Sequence, residues 1–166
     1  MPVMKVANKK GTHQNENARS LLYDYIMQPN KIPHQLVGRE SVGANVVEEM
    51  NQTAQQFNKD SRIRVRHFMV SYTPFDTTDP TVVDAIAREV AAYLGQRYQV
   101  VYAVHEDTKN LHFHIMFNAV SYVDGYKYHG DKAEHFQLLN AINAANHRYG
   151  IYSIKYVSTL SDEDIQ

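Results

Sequence analysis

Three histidines and one aspartate fall within a single short stretch, His105-Glu106-Asp107-Thr108-Lys109-Asn110-Leu111-His112-Phe113-His114. Successive side chains on a strand point to opposite faces. His112 and His114 therefore share one face, while Leu111, Phe113 and Ile115 take the other. The β-rich run Gln99–Val104 places His105 at the end of a preceding strand, where it can supply a third ligand. The chain has no cysteine, so any metal takes nitrogen and oxygen ligands. Three neutral imidazoles leave coordination positions open, and an open cation beside a phosphate stabilises the charge that builds during displacement. Asp107 is too close in sequence to His105 to be an obvious fourth ligand. It is expected to hydrogen-bond a ligand histidine and fix its tautomer.

Tyrosine usage is also unusual, with 12 tyrosines and no tryptophan. Tyr23 and Tyr25 precede the loop Gln28-Pro29-Asn30-Lys31-Ile32-Pro33. Two residues apart on a helix, they point about 200° away from each other, so one at most reaches a common metal site. A phenol with a free pKa near ~10 needs a bound phosphate, a base or a cation to become a nucleophile. By pattern alone, each of these tyrosines reads first as core. His67, inside His67-Phe68-Met69-Val70-Ser71-Tyr72, also reads alone as a core histidine. The remaining histidines, at 13, 34, 129, 135 and 147, show no metal spacing. Arg62, Arg64 and Arg66 alternate at strand spacing and are expected to share one face, either as a solvated face or as a phosphate-contacting stripe. Lys9 and Lys10 form a second basic spot.

These groups must be held by elements that the hydrophobic pattern outlines. Pro2 to Val6 reads as a strand, and a helix capped by Asn15 or Asn17 runs through Met27 on the stripe Ala18, Leu21, Leu22, Tyr25 and Ile26. Ser41 to Phe57 reads as a second helix and Ile63 to Tyr72 as a strand. Asp79-Pro80 opens a helix carried by Val82 to Leu94, with Gly95 as its C-cap. Strands follow over Tyr98–His105 and Leu111–Val120. A hairpin around Asp124-Gly125, a helix over Asp131–Tyr149 and a closing strand over Tyr152–Val157 complete the chain. This order predicts an α+β fold: a two-layer sandwich with a central, mainly antiparallel sheet of about five strands.

The chain has 166 residues, 43% hydrophobic and 21% charged, which suits one globular domain with a real core. The net charge of −1 carries no global signal for nucleic acid, so the distribution of charge matters more. No apolar run approaches a membrane span and no signal-peptide core is visible, which points to the cytoplasm. Residues 1–160 are expected to form one catalytic domain. Residues 161–166, with Asp162, Glu163 and Asp164, are expected to be an acidic tail at the edge of a longer protein.

The motifs resemble those of MobP-type relaxases, mobilisation nucleases of the histidine–hydrophobic–histidine (HUH) endonuclease superfamily. The resemblance rests on Tyr25-Ile26-Met27-Gln28-Pro29-Asn30-Lys31, on His67-Phe68 through Ser71, and on His105-x-Asp107 with His112-x-His114, then Ile115 and Phe117-Asn118. Many relatives carry histidine where this chain has Asn110. The resemblance implies a central antiparallel sheet with packed helices. It implies that Tyr25, or Tyr23 as the alternate, attacks one phosphodiester of single-stranded or extruded DNA at an origin of transfer, leaving a 5′-phosphotyrosine and a free 3′-OH. It implies Mg2+ or Mn2+ held by His105, His112 and His114. Asp107 and His67 are further catalytic candidates, and Lys31, Arg62, Arg64, Arg66 and Lys109 are candidate DNA contacts. An accessory relaxosome protein and a type IV secretion coupling protein are the implied partners. The residues also leave open a replication initiator or transposase of the same superfamily, a water-using metal hydrolase, and a non-catalytic metal-containing DNA-binding module.

Overall fold

The computed structural model describes residues 1–7 and 13–161. Lys9, Lys10 and the acidic Asp162, Glu163 and Asp164 lie outside the described residues. The chain forms strands β1 (Val3–Val6), β2 (Val37–Glu40), β3 (Val65–Tyr72), β4 (Val100–His105), β5 (Leu111–Asn118) and β6 (Tyr156–Thr159). The helices are α1 (Ala18–Ile26), α2 (Val46–Gln56), α3 (Pro80–Gly95) and α4 (Lys132–Arg148), with a short 3₁₀ turn at Pro29–Lys31.

The strands make one sheet in the order β2-β4-β5-β3-β1-β6. Every pairing is antiparallel except β1 with β6. The α+β class and the mainly antiparallel sheet are as the sequence predicts, but the sheet has six strands rather than about five. The additional strand is β2, whose sequence Val-Gly-Arg-Glu has no apolar alternation to reveal it. Gly38 is required there because a Cβ would come within 2.4 Å of the Tyr102 ring on the adjacent strand.

Helices cover both faces of the sheet, so there are three layers rather than the expected two, because the sheet presents an apolar surface on each side. On one face Phe68, Val70, Phe113, Ile115, Phe117, Val100, Tyr102 and Val104 pack against Val83, Ile86, Val90 and Leu94 of α3 and Leu138 and Ile142 of α4. On the other, Val65, Val101, Ala103 and Met116 pack against Ala18, Leu22 and Ile26 of α1 and Val46 and Met50 of α2. Polar ties fix the first helix pair to the sheet: Tyr102 donates to Asp84 at 2.8 Å and Tyr72 donates to Asn146 at 2.8 Å.

Several element ends differ from the expected ones. Helix α2 starts at Val46 rather than Ser41, because Ser41 takes a left-handed backbone with φ 60° directly after β2. Gly95 is the last residue of α3 and not its cap; a Cβ there would stand 2.6 Å from that of Glu40, so the residue serves a close helix–strand approach. The expected hairpin at 122–128 is a turn with one isolated bridge, Val120 to Lys127. The closing strand is shifted to Tyr156–Thr159, where it runs parallel to β1. Asp79 caps α3 by accepting from the Thr81 amide, and Asp131 with Glu134 forms a capping box at α4.

Behind α1 and α2 lies a buried polar group that no spacing argument found. Arg19 is 1% exposed and donates to Asn118 at 3.2 Å, Asn51 at 2.8 Å and Asp60 at 2.9 Å. Removing a buried cation strands its partners without water. Arg19→Met is therefore expected to destabilise the fold by about 3 kcal/mol, read as a lower urea midpoint.

Candidate active site

The site is built where three strands and the end of α1 meet. His105 and His112 are directly paired across β4 and β5, and His114 lies opposite Ala103 on one side and Met69 on the other. The three imidazoles occupy the face covered by α1, and Phe113 and Ile115 the opposite face, as alternation requires. One ring nitrogen from each of His105, His112 and His114 falls within 4.8 Å of the other two.

The hydrogen bonds decide which nitrogen each ring offers. His105 Nε2 sits 2.8 Å from the carbonyl of Ile26, so it must donate, and the lone pair is on Nδ1. That bond also satisfies a carbonyl at the C-terminal end of α1. His112 Nδ1 donates to the Asn110 carbonyl at 2.9 Å, leaving the Nε2 lone pair. His114 Nδ1 lies 2.7 Å from His67 Nε2, so Nε2 of His114 is the nitrogen turned to the cluster. His105 Nδ1 and His114 Nε2 are both buried without a protein hydrogen-bond partner. Clustered neutral rings with buried nitrogens that meet no protein partner suit a borderline divalent cation.

Burial drives these rings toward the neutral form. It brings His105 down to about 4, against the Ile26 carbonyl that raises it, and drives His114 well below its ordinary value. His67 falls to about 3, through burial and then the charges of His13 and His105; His13 itself falls to about 4, chiefly through burial. These folded-state values lie below the unfolded one, so the unfolded chain binds more protons as pH falls from 6.5 toward 4. The metal-free protein is expected to be stable on this account above pH 6.5 and to lose stability progressively down to about 4. His105 alone contributes on the order of 3 kcal/mol to that loss. Thermal melts in EDTA across this range check it.

Tyr25 arrives at the cluster because its helix ends there. It precedes Ile26, whose carbonyl is held by His105. Its ring lies edge-on, 5.4 Å from the His114 ring, 5.9 Å from His105 and 6.5 Å from His67. Tyr23 packs against the core of α1 and α2. The tyrosines after β5 lie elsewhere: Tyr126 and Tyr128 pack on Arg97 and Arg66, and Tyr149 and Tyr152 are exposed beyond α4.

Lys31 is buried rather than on the surface. Its Nζ lies 2.9 Å from Asp107 and 5.6 Å from the centroid of the Tyr25 ring. Burial alone would raise the Asp107 carboxyl, but the hydrogen bond and charge of Lys31 outweigh it and hold the group below its ordinary value. Asp107 Oδ1 is 3.8 Å from His112 Nε2, beyond hydrogen-bond length. The ring hydrogens of His105 and His112 go instead to the carbonyls of Ile26 and Asn110.

The expected arginine face is not formed. Arg62 has a left-handed φ of 55° before β3 begins. Arg64 is tied to Asp60 at 3.1 Å, and Arg66 donates to the Tyr128 carbonyl at 2.8 Å. Arg66 shares the face of Phe68 and Val70, away from the histidines. Lys109 is exposed on the turn between β4 and β5 and lines a cleft of about 330 Å³ together with Tyr25, Lys31, Asp107 and His112. Lys5 and Ser71 also line this cleft. Lys5 escaped sequence reading because only the pairing of β1 with β3, Lys5 opposite Met69, brings it there.

The family model for the relaxase, MobA/VirD2-like, nuclease domain matches residues 25–151 of this chain, the span from Tyr25 to past the histidine strand and α4. The chain belongs to this relaxase family. Two curated relatives also match, both described as group II intron-interrupted relaxase LtrB, from Lactococcus lactis subsp. cremoris (strain MG1363) and from Lactococcus lactis subsp. cremoris. Each is 28% identical over 72 residues, which is 43% of this chain and 13% of the relative. The match thus covers a small part of those longer relaxases. Among the described residues of this relaxase, no helix is long and apolar enough to cross a membrane.

Proposed function

We propose that this relaxase domain, taken as one catalytic unit over residues 1–160, nicks one strand of DNA at an origin of transfer by tyrosine transesterification. The observation that carries the reading is the Tyr25 ring against the buried His105 and His114, at the wall of a cleft that it shares with His112. The Tyr25 hydroxyl oxygen bonds to the scissile phosphorus and the bond from phosphorus to the 3′ oxygen breaks. The phenolic proton ends, in net, on the released 3′-hydroxyl, and the 5′ phosphate stays on the tyrosine. The phosphodiester is exchanged, not spent, so the 3′-hydroxyl can reverse the step and reseal the strand.

Mg2+ or Mn2+ held by His105, His112 and His114 would supply charge stabilisation on the scissile phosphate. The chain's own residues orient the reaction. Ile26 and Asn110 hold two imidazoles through their carbonyls. Lys31, locked on Asp107, keeps a cation beside the phenol. Lys109 and Lys5 lie at the cleft for backbone phosphates, and binding should weaken with salt as counterions are released. The reading places the protein in the cytoplasm with an accessory relaxosome protein and a type IV coupling protein as partners. Its test is a denaturing gel after incubation with single-stranded oligonucleotides tiling the candidate transfer origin. A protein–DNA adduct that needs Mn2+ or Mg2+ and disappears with EDTA is expected. Cleavage without adduct would favour a water-using hydrolase.

A further inference from the structure

We infer that His67 is the positioning residue of the histidine cluster, holding His114 in the one tautomer and rotation that can ligate a cation. This rests on the proposed metal centre. His67 stands opposite Met116 on β5, one step diagonally from His114 on the same face. Its Nε2 is 2.7 Å from His114 Nδ1, and the two rings are nearly parallel, with centroids 5.0 Å apart and planes 25° apart. Both residues are buried, so water does not compete for this bond.

The direction of the bond follows from what His114 has to do. If Nε2 of His114 ligates, Nδ1 carries the proton, and His67 Nε2 must accept it. Were the direction reversed, His114 Nε2 would carry a hydrogen, and no ligand atom would remain on that ring. His105 and His112 obtain the same service from main-chain carbonyls, which cannot change role. His114 lies mid-strand between β3 and β4, and the hydrogen-bond partner its Nδ1 finds there is a side chain, His67. Accepting at Nε2 puts the proton of His67 on Nδ1, which is buried without a partner. The ring of His13 lies 5.9 Å away, edge-on, and its Nε2 is also buried without a partner.

A residue that only filled space here could be replaced by any side chain of similar volume. A positioning residue needs an acceptor at the location of Nε2, which the terminal oxygen of glutamine reproduces and leucine does not. The test is Mn2+ titration calorimetry on the intact chain, comparing wild type, His67→Gln and His67→Leu. His67→Leu is expected to bind Mn2+ about 10- to 100-fold more weakly, and His67→Gln within about threefold of wild type. His67→Leu binding as tightly as wild type, or both variants weakening alike, would overturn the proposal. An absence of Mn2+ binding in wild type would instead overturn the metal centre on which it rests. Should His67→Leu fail to fold, long-range 1H–15N spectra of the metal-free wild type decide. The hydrogen of His114 on Nδ1 is the expected result; the hydrogen on Nε2 would sink the idea.

Discussion

A Tyr25→Phe variant is expected to bind transfer-origin single strands as wild type does and to form no covalent adduct with them. The phenylalanine keeps the ring contacts with His114 and His105 and removes the attacking oxygen alone. Loss of the nucleophile should lower strand transfer at least ~10³-fold, because no other group can take over a covalent step at the same place. Tyr23→Phe should retain the adduct, since it is the Tyr25 ring that meets His114, His105 and His67, while Tyr23 packs, half-buried, against the core of α1 and α2. The measurement is adduct yield on a denaturing gel beside a binding isotherm at fixed salt. Loss of adduct in Tyr23→Phe with retention in Tyr25→Phe would move the nucleophile.

Removing one imidazole of the cluster should have the second large effect. His112 lies at the start of β5 beside the cleft, so His112→Ala should disturb packing least among the three. A cation held by nitrogens from His105 and His114 alone loses a ligand bond, and Mn2+ affinity should fall more than ~100-fold, beyond the effect of an outer-sphere change. Binding to the folded state alone also raises its stability by RT ln(1 + [L]/Kd), so saturating Mn2+ at about 100 times Kd stabilises wild type by about 2.7 kcal/mol. That rise in melting temperature should be absent in His112→Ala. An unchanged Mn2+-dependent rise would exclude His112 as a ligand.

The strands carrying the histidines were legible because two separate signals agreed along them. The alternation in Leu111–Asn118 gives both an apolar face and a histidine face, and only a strand satisfies both. Helix α3 was legible from Asp79-Pro80, a cap and first-turn pair with local chemistry. Strand β2 was not, since its glycine and charges answer to Tyr102 and an edge position rather than to any periodicity of their own. The arginine face failed for a related reason. Spacing at 62, 64 and 66 assumes that the strand already exists there, but the backbone at Arg62 is left-handed and β3 begins only at Val65.

The sequence by itself determined which imidazoles share a face, that no thiolate can join them, and that a tyrosine lies at the end of a helix before a proline loop. These are local consequences of residue type and period. Tertiary structure alone decided which tyrosine meets the histidines, because Ile26 closes on His105 across 79 positions of chain. It also decided that Lys31 is a buried partner of Asp107, that Lys5 reaches the cleft, and that His67 stands against His114, 47 positions away. Such pairings depend on the order β4-β5-β3-β1 within the sheet. Periodicity shows which face of a strand a residue takes, and only the packed sheet shows which strand lies beside it.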